Sequence, residues 1–397
     1  MNAPLAGIRV VEVASYVAVP AAGALLADLG AEVVKVEVPH GEIYRHGRPS
    51  FSGYATDFPE SPPFQMDNKG KLSVALDLKR PQAREALGRM IGEVDIFITN
   101  LLPARRKKYG LDHAELLERH PNLLVGAVSG YGHGGDAGDW PAFDYTTYWA
   151  RTGMMDIMRD SDAPPSMQRP AVGDHAAAVN LVCGLLAALR LRDAGGGGQF
   201  VDVSLLQTGL HILGTDISNA LVTREPAKRH NRRAAPNPLW NSYPVAGDRW
   251  LLLAMIEADR YWPQFCGAIE RPELLSDPRF EDGWRRGENS AALIEEIEAA
   301  FAERTLEEWT LRLDGAGLIW APVRRVEEAI DDPQARAMGY FQPLEHATAG
   351  DFETVGPPFR IDGCQLGSRR AASPLGADTR AVLRQAGLTE DEIAELT

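Results

Sequence analysis

The chain is predicted to be an α/β protein. It should have a Rossmann-like parallel sheet in a large domain and a smaller α+β second domain. Three observations predict this. Five short runs rich in Val, Ile and Leu alternate with helical spacings over the first 130 residues, the pattern of a parallel sheet covered by helices. A length of 397 residues exceeds one average core, so two domains are expected. A basic, proline-bearing stretch from Pro226 to Pro238 interrupts the regular pattern as a linker would.

Taken in order, Ile8–Val13, Glu32–Glu37, Leu72–Leu76, Asp95–Thr99 and Leu123–Val128 read as strands. Between them Ala21–Leu29, Pro81–Ile91 and His113–Arg119 carry helical spacing, the second with proline in its first turn. Residues 38–66, with Pro, Gly, Ser and aromatics, read as a loop over the sheet. Asp174–Arg192 reads as a long apolar helix capped by Asp174 and closed by basic residues and Gly195–Gly198. Phe200–Val203 is a strand and Leu205–Val222 a helix. Beyond the linker, Trp250–Met255 and Leu318–Val323 are strands, with helices at Ser290–Ala300 and Leu306–Leu313. Asp378–Gln385 and Glu390–Leu396 close the chain as helices. The resulting domain plan is a large domain over 1–225 completed by 335–397, a linker at 226–240 and a small domain over 241–334.

Composition excludes several partners. A formal charge of −14 disfavours nucleic acid and anionic membrane surfaces, both of which reward a basic face. The N-terminus lacks a basic start and apolar core, and no uninterrupted apolar run approaches the roughly 20 residues of a membrane span. Cys183, Cys266 and Cys364 are odd in number and widely spaced, so a cytoplasmic setting with no disulfide and no metal is expected.

The first strand-to-helix turn, Glu12 to Pro20, lacks the G-x-G-x-x-G that close approach to a dinucleotide needs, so NAD is not expected. Asn100 to Gly110 follows a strand and carries Arg105, Arg106, Lys107 and Lys108 in succession. Such cations can hold phosphates, and Asn68-Lys69-Gly70-Lys71 and Lys79 add charge near the same edge. Charge alone does not separate a phosphate cradle from a solvated face. Asp174 is similarly two-sided: Gly-Asp before an apolar helix suits an N-cap, yet a carboxylate in a closed site can be a nucleophile.

Together these pieces resemble the class III coenzyme A transferases, the family of formyl-CoA and carnitine CoA-transferases. The resemblance rests on Pro4–Val10, Ala27–Glu37, Asn68–Lys71, Leu76–Lys79, Ser129–Gly132 and Pro141–Asp144, in that order. It implies transfer of coenzyme A from an acyl-CoA donor to a carboxylic acid, through a mixed anhydride and an aspartyl-CoA thioester on Asp174. It also implies coenzyme A contacts at Val17, Ala18, Leu76, Lys79, Asn100 and Lys108, an approach to Asp174 lined by Phe143 and Asp144, and an interlocked homodimer. Two departures are visible. Val38 stands where a basic residue is usual, and Asn100-Leu101-Leu102-Pro103-Ala104 replaces Asn-Phe-Arg-Pro-Gly, leaving phosphate charge to Arg105–Lys108. An α-methylacyl-CoA racemase on the same fold is the alternative. That activity needs two acid–base groups, and its Gly-His-Asp is Ala142-Phe143-Asp144 here. A coenzyme A-binding protein without turnover is the third possibility.

Overall fold

The computed structural model describes residues 3–46, 56–160 and 163–397. The chain divides into two compact units. One comprises Met1–Met155, Met167–Glu225 and Gln334–Thr397; the other comprises Asp156–Ser166 and Pro226–Pro333.

The first unit begins β1 (Arg9–Val13), α1 (Ala18–Asp28), β2 (Glu32–Glu37), α2 (Pro62–Asn68), β3 (Leu72–Ala75), α3 (Pro81–Gly92), β4 (Ile96–Thr99), α4 (Pro103–Tyr109), α5 (His113–Arg119) and β5 (Leu124–Ser129). A π-helical segment at Tyr145–Arg151 and a single turn, α6 (Met154–Ile157), follow. Then come α7 (Val172–Leu191), β6 (Gln199–Ser204), α8 (Leu205–Ile212) and α9 (Gly214–Thr223). Six strands pair in parallel in the order β3-β2-β1-β4-β5-β6. The order reverses between β1 and β4, so the crevice past their carboxyl ends is where such a sheet receives a ligand.

Period-two alternation sends successive side chains to opposite faces. Val10, Ile96, Ile98 and Leu124 join α1 and α7 in one core. Val11, Val34, Val36, Phe97 and Val125 join α3 and the C-terminal helices in another. Burial on both faces explains why these strands read as continuous apolar runs. Helix α7 is long and apolar enough to cross a bilayer, although a run of that kind was not expected. Its Ala177, Ala178, Leu181 and Leu185 instead pack into the core beneath the sheet.

The second unit holds β7 (Trp240–Val245), β8 (Arg249–Ala254), α10 (Ala258–Ala268), α11 (Gly283–Glu288), α12 (Ser290–Phe301), α13 (Leu306–Gly315), β9 (Trp320–Pro322) and α14 (Val326–Ala329). Its antiparallel sheet, β7-β8-β9, packs on helices around Phe265, Phe301 and Trp309. After α15 (Pro333–Ala337), the hairpin β10 (Phe341–His346) and β11 (Gly350–Val355) and the helices α16 (Thr379–Gln385) and α17 (Glu390–Leu396) complete the first unit.

Several local expectations change. The stretch 38–66, expected as a loop, yields to α2 from Pro62, while 47–55 lie outside the described residues. The basic run after Asn100 is helical, started by Pro103 and ended by Gly110 at φ 71°. Leu205–Val222 is two helices that meet at Leu213. Asp174 is not a cap: Ala171 holds that position at φ 68°, and Asp174 lies in the first turn.

Candidate active site

The site is assembled at the reversal of strand order. Past β1, the Ser15 N–H donates to Asn100 Oδ1 at 3.2 Å, and Asn100 Nδ2–H donates to the Ser15 carbonyl at 2.7 Å. Tyr16 follows at φ 64°, a conformation that a bulky residue keeps only when its surroundings enforce it. Its N–H donates to Glu42 Oε2 at 2.6 Å, and Glu42 is ion-paired to Lys35 at 2.8 Å. The turn at the mouth of the sheet is therefore fixed from both sides.

Val17 and Ala18 open α1 with buried side chains, so only backbone there can meet a ligand. Tyr16 stands edge-on to Phe143, ring centroids 5.4 Å apart, and Phe143 is 56% exposed. The next residue, Asp144, is only 2% exposed and accepts the Gly173 N–H at 3.2 Å. Asp144 thus supplies from outside the bond that the N-terminus of α7 does not obtain from Ala171. Gly173 must be glycine for room: a Cβ there would lie 2.3 Å from Tyr148 Cγ. Tyr148 and Trp149 are buried in the core.

Asp174 is half-buried at this point. Burial, then the neighbouring charges of Asp144 and Asp67, push its carboxyl up to about 7, and the His175 charge opposes them. Burial likewise raises Asp144, against its bond from Gly173. His175 Nε2–H donates to Asp67 Oδ1 at 2.9 Å, and Asp67 Oδ2 accepts from the Tyr44 hydroxyl at 3.2 Å. A half-buried carboxylate that caps nothing and titrates near neutrality is chemically poised as a nucleophile or an acid–base group.

The structure thus connects Asn100, Val17, Ala18, Phe143, Asp144 and Asp174 through one set of contacts around Ser15, Tyr16 and Gly173. Leu76 is buried, its N–H spent on the Glu37 carbonyl. Lys79 and Lys108 are exposed past the ends of β3 and β4 and touch none of that set. Of the four successive cations, Arg106 is buried beneath α4, its guanidinium 5.9 Å from the Phe200 ring centroid. Arg105, Lys107 and Lys108 remain at the surface. Lys69 and Lys71, counted from sequence as edge charge, are buried and ion-paired to Asp28 and Glu12, so they are not free for a phosphate. Sequence reasoning missed Asp67, Glu42 and Tyr16. Asp67 could have been noticed as the acid opening the Asn68–Lys71 motif, whereas Glu42 and Tyr16 carry no local signal. Among the described residues no cluster of His, Cys, Asp and Glu has the arrangement of a metal site.

Comparison with known proteins bears on this geometry. The model of CoA-transferase family III matches residues 5–379. The chain is 32% identical over 393 residues to a Clostridioides difficile protein named (R)-2-hydroxy-4-methylpentanoate CoA-transferase, covering 98% of this chain and 97% of that one. It is 31% identical over 397 residues to cinnamoyl-CoA:phenyllactate CoA-transferase of Clostridium sporogenes, covering 98% and 95%. Among solved structures it is similar to a CAIB/BAIF family protein from Brucella suis, with a TM-score of 0.87, 26% identity, and coverage of 97% and 100%.

Proposed function

The chain belongs to CoA-transferase family III, and on that premise we propose that Asp174 is the nucleophile of an acyl-CoA:carboxylate CoA-transferase. The supporting observation is a half-buried carboxylate that makes no capping bond at the first turn of α7, held near neutral titration beside the strand-order reversal. A carboxylate of that basicity is a stronger nucleophile than an ordinary one and is still largely ionised at slightly alkaline pH.

In this reading an Asp174 oxygen attacks the donor's thioester carbonyl, the C–S bond breaks, and the thiolate of coenzyme A leaves. The thiolate then attacks the aspartyl carbonyl of the resulting anhydride and releases the first acid. The acceptor carboxylate attacks the aspartyl thioester, and the thiolate finally attacks the new acyl carbonyl, restoring Asp174. The thioester is exchanged without loss to water. Coenzyme A is here the transferred group, a substrate rather than a resident cofactor. The donor set suits it: backbone at Val17–Ala18 at the sheet mouth, with Lys79, Lys108, Arg105 and Lys107 exposed for its phosphates.

The exposed Phe143 and the Tyr16 ring favour an apolar acyl group over a dicarboxylate. The names of two relatives, one for a branched and one for an aromatic acid, point the same way. The isomerase reading finds no support in those names. A homodimer is part of the proposal, supported by Leu210, Ile212, Leu221 and Val222, which leave an apolar surface on α8 and α9. So is a cytoplasmic setting, supported by three unpaired cysteines.

The test is a donor–acceptor screen followed by mass spectrometry. Acetyl-CoA, succinyl-CoA, cinnamoyl-CoA and 4-methylpentanoyl-CoA are each offered with a panel of 2-hydroxy acids and dicarboxylates. Hydroxylamine added during turnover should leave a hydroxamate on Asp174. Full exchange by the Asp174→Ala protein would defeat the assignment.

A further inference from the structure

In the sequence His175 simply follows Asp174, and Asp67 precedes the Asn68–Lys71 motif. The fold joins them. Asp67 lies in the last turn of α2, 108 residues before His175, and its carboxylate accepts both His175 Nε2–H at 2.9 Å and the Tyr44 hydroxyl at 3.2 Å. A carboxylate can only accept, so the ring nitrogen facing it carries the hydrogen. Asp67 is 1% exposed, so the bond is sheltered from water on the acid's side. Behind it, Lys71 Nζ–H donates to the Asp67 carbonyl at 2.9 Å and pairs with Glu12 at 2.7 Å, which anchors the end of α2. The dyad is thus built on a fixed support.

We propose that Asp67, acting through His175, is a positioning residue for the reaction: together they hold a cationic imidazolium beside Asp174 and so keep that carboxylate ionised. The inference rests on the Proposed function reading of Asp174. Its physical need is plain. Asp174 sits among Asp144, ahead of the π-helical segment, and Asp67, on α2, and both disfavour its charge. Tyr44 and Tyr145 also face the cluster without positive charge of their own; the Glu42 charge acts on Tyr44 and the Arg169 charge on Tyr145. His175 is the opposing cation on the same turn. Burial works against the imidazolium, yet the Asp67 bond and charge, with Asp174 and Asp144, raise its titration above the ordinary histidine value. Because Asp174 and His175 interact, they lose protons as a pair.

Two measurements test the inference. The first needs no substrate: long-range ¹⁵N NMR of histidine-labelled apo protein, with His175 assigned by its loss in His175→Gln. In the native protein His175 should titrate above 6.5, and Asp67→Asn should lower its midpoint by about one pH unit or more. An unchanged midpoint in a folded Asp67→Asn protein overturns the inference. The second is the pH profile of kcat/KM with cinnamoyl-CoA and phenyllactate, or with the best pair from the screen. His175→Gln should move the acid limb to higher pH, so that activity at pH 6 falls at least fivefold more than at pH 8. His175→Lys, which restores a cation, should move it back. A purely structural role would lower activity equally at all pH values and would not be rescued by lysine; that outcome also overturns it. Asp174→Ala separates the two claims, since retained exchange there condemns the nucleophile assignment itself, whatever the histidine does.

Discussion

Asn100 closes a two-bond ring with the backbone of Ser15, its amide accepting from one peptide group and donating to the next across the gap between β4 and β1. The two strands are neighbours in the sheet but lie 85 residues apart in sequence. This amide therefore fixes the turn that presents Tyr16, Val17 and Ala18. A sequence-based assignment of Asn100 to ligand contact is compatible with this role, but the side chain's visible partners are internal.

Asn100→Ala should remove both bonds, at about 1 kcal/mol each, and release the Ser15–Ala18 turn. The expected kinetic result is a rise in KM for acyl-CoA of roughly tenfold with a smaller fall in kcat. An unchanged KM would show that the turn is held by Glu42 alone.

Asp174 offers a pH-dependent stability test. Its folded carboxyl titrates at about 7, above an unfolded value of about 3.9. The native state thus holds this proton more tightly, and stability falls as pH rises from about 4 through 7. Asp174→Asn should be nearly neutral in stability at pH 4 and stabilising by about 2–4 kcal/mol at pH 8. Urea unfolding at both values checks it, and equal differences at the two pH values refute it.

Gly173→Ala should destabilise by about 1–3 kcal/mol through overpacking, because the new methyl meets the Tyr148 ring at 2.3–2.7 Å. It should also cost activity by displacing the Asp174 turn. Tyr148→Ala in the same chain should recover part of the stability loss, giving a measurable coupling in a double-mutant cycle.

Glu12 lies fully buried between Lys35 at 2.9 Å and Lys71 at 2.7 Å. Although burial works to raise it, the two lysines hold its carboxyl below the usual range. Burial drops Lys71 to about 8 even with Glu12 present. Glu12→Gln takes the paired carboxylate from Lys71, while Lys35 keeps Glu42, and should cost about 3–5 kcal/mol at pH 7. Lys71 would then shed its proton more readily in the folded state, so the deficit should narrow as pH rises toward 8. A deficit independent of pH would point to packing rather than charge.

Much of the first unit was legible in the sequence. Glu32–Glu37, His113–Arg119 and Glu390–Leu396 occupy the bounds that period and composition imply, because each is a short element whose ends carry a clear change of pattern. Other elements were not legible. Strand β7 begins where proline and asparagine suggested only linker, and α10 contains Pro263 within its first turns. Their apolar residues become informative only when Tyr243 and Phe265 meet in one core. Charge was the least legible property. Arg106, Lys69 and Lys71 look identical to solvated cations in sequence, yet tertiary burial removes all three from the surface.

By itself the chain determined its alternating α/β order, the sheet's doubly apolar strands and the candidacy of Asp174, since these depend on residue type and spacing alone. Only the tertiary structure decided that Ala171 rather than Asp174 begins the helix, that Asp144 bonds its first turn, and that Asp67 and Tyr44 stand behind His175. Hydrogen bonds and electrostatic fields act through space at a few ångströms, and that proximity is set by how distant segments pack.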